Sequence, residues 1–230
     1  MKTVEAYKEG QVILIDKPLE WTSFQVVNKV RWLLKKRFGI KKIKVGHAGT
    51  LDPLATGLLI LCTGKFTKRI PEFQGQEKEY TGTLILGATT PSYDMETEVD
   101  QIFPTSHLTE ERLQSVTSTF EGTIQQVPPV FSALKKEGKR LYEYAREGRE
   151  VIVKPREIQI TKFELEKIAI PVVDFSVVCS KGTYVRSLAH DFGKGVNSGA
   201  YLTALRRTRI GNFLVEDAVT PETFEVLLGK

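Results

Sequence analysis

Residues Gly46 to Leu59 read GHAGTLDPLATGLL, and this stretch limits the fold more than any other. Three glycines and a proline in fourteen residues argue for a tightly turned loop rather than a helix or strand. The loop runs directly into Leu58-Leu59-Ile60-Leu61-Cys62, five apolar residues that read as a buried strand. It must therefore sit at a sheet end, where sites tend to be built. It carries one carboxylate, Asp52, and one histidine, His47. Pro53 pushes Asp52 toward extended geometry and removes the next N–H. Asp before Pro is also a common turn pair, and on the dipeptide alone that plainer reading stands.

Around this loop the periodicities alternate. Thr22 to Phe38 reads as a helix: Thr22 and Gln25 form a capping box, and Val26, Val27, Val30, Leu33 and Leu34 recur at helical spacing. A second helix starts near Thr109, with Leu108, Leu113, Val116 and Phe120 as its apolar stripe. A third follows Thr183, with Val185, Leu188, Ala189 and Phe192 at i, i+3, i+4 and i+7. Val12 to Asp16, Tyr80 to Leu86, Ile158 to Phe163 and Val172 to Cys179 read as strands. Without a regular βαβ period, the expected class is α+β, a mixed, mainly antiparallel sheet with flanking helices. The length of 230 residues suits one large domain or two small ones sharing an interface. Gln125 to Gly138, with Pro128-Pro129 and a Lys-Lys-Glu-Gly tip, reads as an exposed mobile loop.

Composition narrows the function classes. No apolar run approaches the roughly 18 residues of a membrane span. The first ten residues are polar and show no signal-peptide core, so a cytoplasmic location is expected. Cys62 and Cys179 each belong to an apolar run and read as buried thiols. The three histidines, His47, His107 and His190, stand apart from any ligand spacing, so no metal is expected. Gly64-Lys65 is followed by Phe66 and lacks the earlier glycine of a P-loop, and there is no GxGxxG, so no nucleotide cofactor is expected.

The net charge of +5 matters less than its placement. Eight basic residues and no acid lie between Lys29 and Gly46, among them Lys41, Lys42 and Lys44. A second cluster runs from Lys135 and Lys136 to Arg149, and a third is Arg206-Arg207-Thr208-Arg209. Pro91 to Glu111 holds six acids and no base. Each cluster alone is compatible with a solvated face; their segregation favours a surface that meets phosphates. Cys179 to Arg186 reads as a strand, a glycine turn and a helix start, with Tyr184 on the turn. Tyr80 follows Lys78-Glu79 at the head of a strand and fits a core aromatic equally well.

Five ordered blocks resemble the TruB family of tRNA pseudouridine-55 synthases. They are Asp16-Lys17-Pro18 with Trp21-Thr22-Ser23; the GHAGTLDPLATGLL loop; Lys78-Glu79-Tyr80; Val130 to Lys135 with Leu141 to Arg146; and Cys179 to Arg186 with Leu205-Arg206-Arg207. The resemblance runs from about residue 11 to about residue 213. It implies the pseudouridine synthase fold, expected as one catalytic domain over residues 1–230 with a mobile RNA-contacting loop near 123–155. Many family members continue into a small C-terminal RNA-binding domain. Here about seventeen residues follow Phe213, too few for a separate one. The family also usually has glycine where this chain has Glu20.

The implied reaction breaks the C1′–N1 bond of uridine 55 in the tRNA T loop, turns the base and forms a C1′–C5 bond. No redox or phosphoryl step is involved, so no cofactor is implied. Asp52 matches the catalytic carboxylate; attack on C1′ and proton removal from C2′ both stay open. By the same resemblance Arg186 and Tyr80 join Asp52 as catalytic residues: Arg186 would pair with Asp52, and Tyr80 would stack on the target base and help with the C5 proton. Tyr184 would contact the base or sugar, and Leu205 would close the apolar side of the pocket. His47 would fill the space left by the flipped nucleotide. Lys17, counted with His47, Tyr80, Tyr184 and Leu205 among the substrate-binding residues, would brace the site. Lys41, Lys42, Lys44, Lys135, Lys136, Arg206 and Arg207 would hold RNA phosphates. The implied partner is the tRNA T arm, with no protein partner indicated. A related synthase acting on another RNA, or a non-catalytic RNA-binding module, are the alternatives. The second leaves the Asp52, Tyr80 and Arg186 set unexplained.

Overall fold

The computed structural model describes residues 2–136, 138–149 and 151–229. In chain order the main elements are α1 (Val4–Glu9), β1 (Val12–Lys17), α2 (Ser23–Phe38), β2 (Val45–His47), β3 (Ala55–Thr63), α3 (Ile70–Gln74), β4 (Lys78–Leu86), α4 (Glu110–Thr117), β5 (Gly122–Gln126), α5 (Leu141–Arg146), β6 (Arg156–Ala169), β7 (Val172–Cys179), α6 (Val185–Gly195), β8 (Ala200–Ile210) and α7 (Pro221–Leu227). They form two compact units. The first holds residues Met1–Tyr80 and Leu205–Lys230, the second Thr81–Ala204. The chain passes from one to the other within β4 and within β8. The class is α+β with a mixed, mostly antiparallel sheet, as the irregular alternation of periods implies.

The first unit is organised on β3. β1 runs antiparallel along it from Val12↔Cys62 to Lys17↔Gly57. The other edge of β3 takes the second half of β8 in parallel at Ala55 to Gly57, and β2 in antiparallel at Leu61 to Thr63. Eight of the nine β3 residues are buried, as expected for a strand covered on both faces. Leu59 and Leu61 meet Ile13, Ile15 and the inward stripe of α2, from Val26 to Leu34, with Phe224 of α7. Leu58, Ile60 and Cys62 on the opposite face meet Phe73, Ile210 and Val215. The α2 start follows its sequence signal. The Thr22 side chain accepts from the Gln25 N–H at 3.1 Å, and the Gln25 Oε1 accepts from the Thr22 N–H at 2.7 Å.

In the second unit, β4, β7, β6 and β5 stand side by side in that order, with the β6–β7 and β6–β5 pairs antiparallel. The first half of β8 lies beside β4, where the Thr203 hydroxyl donates to the Thr83 carbonyl at 3.3 Å. Val173, Phe175, Val177 and Cys179 alternate inward from β7. Leu188, Ala189 and Phe192 of α6 are buried, and the Phe163, Phe175 and Phe192 rings meet edge to face.

Three expectations need correction. The turned loop is shorter than fourteen residues: His47 ends β2 and β3 already begins at Ala55. Gly57 is a strand residue with φ of 104°, and a Cβ there would lie 2.3 Å from the Arg207 carbonyl oxygen. Its glycine answers a close backbone approach, not a turn. Second, the basic cluster at Arg206 to Arg209, compatible in the sequence with a solvated face, lies within a strand, Ala200–Ile210. Third, the presumed loop from Gln125 starts inside β5, and Lys135–Lys136 pairs with Lys139–Arg140 as a short hairpin.

Candidate active site

The residues around Asp52 are tied down on both sides. The Ser23 hydroxyl at the first turn of α2 accepts from the Leu51 N–H at 2.9 Å and donates to the Leu51 carbonyl at 3.1 Å. The Pro53 carbonyl accepts from the Glu20 N–H at 2.8 Å and from Lys17 Nζ at 3.3 Å. The Asp52 carbonyl accepts from the Ala55 N–H at 3.1 Å. Asp52 itself is partly exposed. Glu20 adopts φ of 67°, so the position where the family usually has glycine keeps the left-handed turn with a side chain present.

Lys17 is fully buried. β1 alternates, and Lys17 falls on the inward face after Ile13 and Ile15. Its ammonium donates to the carbonyls of Pro18 at 2.9 Å, Trp21 at 2.6 Å and Pro53 at 3.3 Å. Burial pushes its pKa down to about 8; the Asp52 charge works in the opposite direction and the Arg207 charge adds to the fall. A lysine enclosed in this way has no donor left for substrate, which corrects its assignment as a substrate contact and accords with a bracing position.

Arg207 requires the larger correction. It is 1 % exposed, and its guanidinium donates to the carbonyls of Leu58 at 2.8 Å, Gly49 at 3.2 Å and Thr50 at 3.4 Å. It holds the Asp52 loop from inside and offers nothing to a phosphate. The neighbouring arginines are also engaged. Arg206 forks onto Asp16 at 3.0 and 2.7 Å, and Arg209 bridges Glu77 at 3.1 Å and Glu79 at 2.9 Å. The third basic cluster is thus internal wiring of the first unit. Leu205 stands beside Ala55 in the parallel pairing, three residues after Asp52. Tyr80 is buried at the end of the same unit. His47 is half-buried; burial lowers its pKa, a hydrogen bond with the Gly49 backbone opposes the fall and the Arg207 charge adds to it.

Arg186 and Tyr184 belong to the second unit. Tyr184 caps α6, and the Gln126 carboxamide brackets its backbone, accepting from the N–H at 2.8 Å and donating to the carbonyl at 3.1 Å. The Arg186 guanidinium is buried; it donates to the carbonyls of Ser92 at 3.1 Å and Phe131 at 3.0 Å, and Nε lies 3.6 Å from Asp94 Oδ2. Asp94 is a residue that sequence reasoning missed. It is one of six acids in an acidic segment, and only its burial distinguishes it from the rest. The segment is tightly closed around it: the Thr90 and Ser92 hydroxyls both donate to the Asp94 carbonyl.

Lys41, Lys42, Lys44 and Lys135 are exposed; the side chain of Lys136 lies outside the described part of the structure. Lys139 is bridged to Glu147, and Arg146 to Glu96 at 3.0 Å, so the second cluster is partly neutralised. Among the described residues no three His, Cys, Asp or Glu side chains gather where a metal ion could be held, and no helix is long and apolar enough to cross a membrane.

Solved structures share this fold. The chain is similar to one in a Cbf5-Nop10-Gar1 complex, with a TM-score of 0.69 and 29% identity, covering 95% of this chain and 54% of that one. A second is an H/ACA RNP bound to a substrate RNA containing 2′-deoxyuridine, with a TM-score of 0.70 and 26% identity over 98% of this chain and 55% of the other. The fold is that of the pseudouridine synthases, enzymes that isomerise uridine within RNA.

The model of the TruB family pseudouridylate synthase N-terminal domain matches residues 35–185. The tRNA pseudouridine synthase B of Flavobacterium johnsoniae is 60% identical over 224 residues, 97% of this chain and 98% of that protein. The protein of the same name from Phocaeicola vulgatus is 55% identical over 218 residues, 95% and 93% of the two chains. The chain belongs to the TruB family of pseudouridylate synthases.

Proposed function

We propose that this protein converts uridine 55 in the T loop of tRNA to pseudouridine, in the cytoplasm, with Asp52 as the reactive carboxylate. The observation that carries this reading is the Asp52 loop, fixed by Ser23 on one side and by Lys17, Glu20 and Arg207 on the other. The names of relatives matching nearly the whole chain support tRNA as the substrate. A carboxylate held still beside an exposed face can act on a ribose that is swung out of its stack. The C1′–N1 bond breaks, the base turns, C1′–C5 forms, the C5 proton leaves and N1 gains one. Atoms and electrons balance with no co-reactant.

Arg186 is assigned by resemblance as the partner of that carboxylate, with Asp94 beside the guanidinium to steady it. Tyr80 stacks on the base, Tyr184 contacts the base or sugar, Leu205 closes the apolar wall and His47 fills the vacated space. Lys41, Lys42, Lys44 and Lys135 contact phosphates; Arg206 and Arg207 are withdrawn from that group. The single catalytic domain and its RNA-contacting segment near 123–155 remain part of this proposal.

The test is tritium release from T-loop transcripts labelled at uridine C5. Wild type releases tritium at position 55. Asp52→Asn keeps the shape, removes the charge and lowers turnover by at least about 10³-fold, with RNA binding retained. Comparable turnover in Asp52→Asn overturns the assignment. Release from other RNAs but not from tRNA makes the chain a synthase of another substrate.

A further inference from the structure

The connection between β4 and α4 carries a bulky residue in a conformation that bulky residues avoid. Tyr93 has φ of 64°, and in the left-handed region a large side chain crowds its own backbone. Glycine would occupy this position without strain. Strain of this kind persists only where the surroundings over-determine the conformation. The Tyr93 N–H donates to the Thr90 carbonyl at 3.1 Å, and the Tyr93 carbonyl accepts from the Leu202 N–H of β8 at 3.0 Å. The Tyr93 ring lies flat on that of His190 in α6, with centroids 3.8 Å apart and planes 13° from parallel.

Three successive residues of this turn are held by one face of α6. His190 stands four residues after Arg186, so the two side chains project from the same side of the helix. The Arg186 guanidinium takes the residues on either side of Tyr93. It donates to the Ser92 carbonyl at 3.1 Å, and its Nε lies 3.6 Å from Asp94 Oδ2. His190 takes Tyr93 itself. The other Asp94 oxygen is also fixed, because Oδ1 accepts from the Glu96 N–H at 2.9 Å. The Ser92 carbonyl belongs to the peptide plane that φ of Tyr93 rotates relative to Asp94. This one angle therefore sets whether the carbonyl and the carboxylate can face the guanidinium together.

Ordinary core packing does not account for the pair. Both residues are only half-buried, so neither is needed to fill a closed interior. His190 Nδ1 is buried without a hydrogen-bond partner among the described residues, a cost that an apolar filler would avoid. What the two contribute together is a contact of two stiff, flat rings, which attract beyond the area they bury. That contact sits where the chain turns.

We infer that Tyr93 and His190 are positioning residues for Arg186: their stack holds the turn through residues 92–94 in the left-handed form that presents the Ser92 carbonyl and the Asp94 carboxylate to the guanidinium together. The inference rests on the proposed role of Arg186 beside the reactive carboxylate. Neither ring takes part in the reaction or in holding RNA, so rate and binding should separate.

The test uses the full chain with Tyr93→Gly, which keeps the left-handed turn accessible but removes one ring, and His190→Ala, which removes the other. Tyr93→Phe keeps the stack. Each is measured alone and combined with Arg186→Lys. The readouts are single-turnover tritium release at saturating tRNA, tRNA affinity, the unfolding midpoint and, by nuclear magnetic resonance, solvent exchange of the Arg186 Nε–H. Both ring deletions should slow release by about 10- to 100-fold, the cost of a small misplacement near the reacting groups, with tRNA affinity retained. Tyr93→Phe should restore the rate. The Arg186 Nε–H should exchange faster in the deletions than in wild type or Tyr93→Phe. In the Arg186→Lys background the deletions should cost little more, because residues that act through one group are not additive. Wild-type rates in both deletions overturn the inference. So do losses that multiply in the Arg186→Lys background, an unchanged Arg186 exchange, or a rate that merely follows the unfolding midpoint; each leaves the stack as packing. A loss confined to tRNA affinity makes the pair an RNA contact and overturns it too. Failure of the wild type to release tritium from any T-loop RNA defeats the proposed function instead, while the Arg186 exchange comparison still reads the stack.

Discussion

Replacing Arg207 separates an internal strut from a phosphate contact. In Arg207→Leu the side-chain stem keeps its apolar packing, but the carbonyls of Leu58, Gly49 and Thr50 lose their donors. Bonds from a charged donor contribute about 1.5–3 kcal/mol each. The contacts at 2.8 and 3.2 Å are sound, and the one at 3.4 Å adds little. The loss is then about 3–5 kcal/mol, the range found when one partner of a buried charged contact is removed. Against a total stability of about 5–15 kcal/mol, this lowers the melting temperature by roughly 10 °C. Arg207→Lys should fall between, because one ammonium cannot span three carbonyls. Urea and thermal unfolding followed by circular dichroism give the stability, and tritium release gives the turnover. Turnover should fall in the folded variant as well, because Gly49 and Thr50 lead to Asp52. An unchanged unfolding midpoint together with a shallower salt slope for RNA binding would refute this reasoning and return Arg207 to the phosphate contacts.

Arg186→Lys should lower turnover by more than about 10-fold while tRNA binding persists, because a lysine cannot serve the Ser92 and Phe131 carbonyls and Asp94 together; single-turnover kinetics at saturating RNA would show wild-type rates if Arg186 were only a packing residue. Glu20→Gly should raise stability by about 0.5–1 kcal/mol, the left-handed strain at φ of 67° less the added entropy of an unfolded glycine; a lower unfolding midpoint would contradict it. His190 is pushed down to about 4 by burial, with Lys194 adding to the fall and Asp100 opposing it, and its ring stacks on Tyr93 at 3.8 Å. Its folded pKa lies below the ordinary 6.5, so the unfolded chain binds the extra proton first. The stability tied to a neutral His190 is therefore complete above pH 6.5 and is lost as pH falls toward 4. His190→Gln should flatten the pH dependence between those values, and a parallel profile would refute the assignment.

How far the sequence could be read turns on side chains whose chemistry and location conflict. Apolar periodicity located α2, α6 and β7, because burial follows hydrophobicity there and each residue's type predicts its side. It also held the answer for Lys17: Ile13, Ile15 and Lys17 form one period-two face, so the strand itself turns the lysine inward. Arg207 left only an indirect trace, Gly57, whose missing side chain makes room for the Arg207 backbone. Asp94 left none, since six acids in one segment look alike until tertiary structure buries one.

These cases share one physical rule. Four cations are buried among the described residues, Lys17, Lys78, Arg186 and Arg207, and every one donates to backbone carbonyls of a turn or connection. Lys78, for example, meets the Gln74 carbonyl at 2.6 Å and also that of Gln76. A buried ammonium or guanidinium is tolerable only where fixed dipoles replace its water. Conversely, such connections fold tightly because a cation gathers their carbonyls. The basic residues of this chain therefore divide by location into two kinds of work. The buried ones shape loops, including the one bearing Asp52. Exposed lysines that belong to no ion pair among the described residues, such as Lys41, Lys42 and Lys44, remain to meet an anion. A count of Lys and Arg along the sequence merges these groups, most visibly at Arg206, Arg207 and Arg209, whose guanidinium groups are all engaged within the fold.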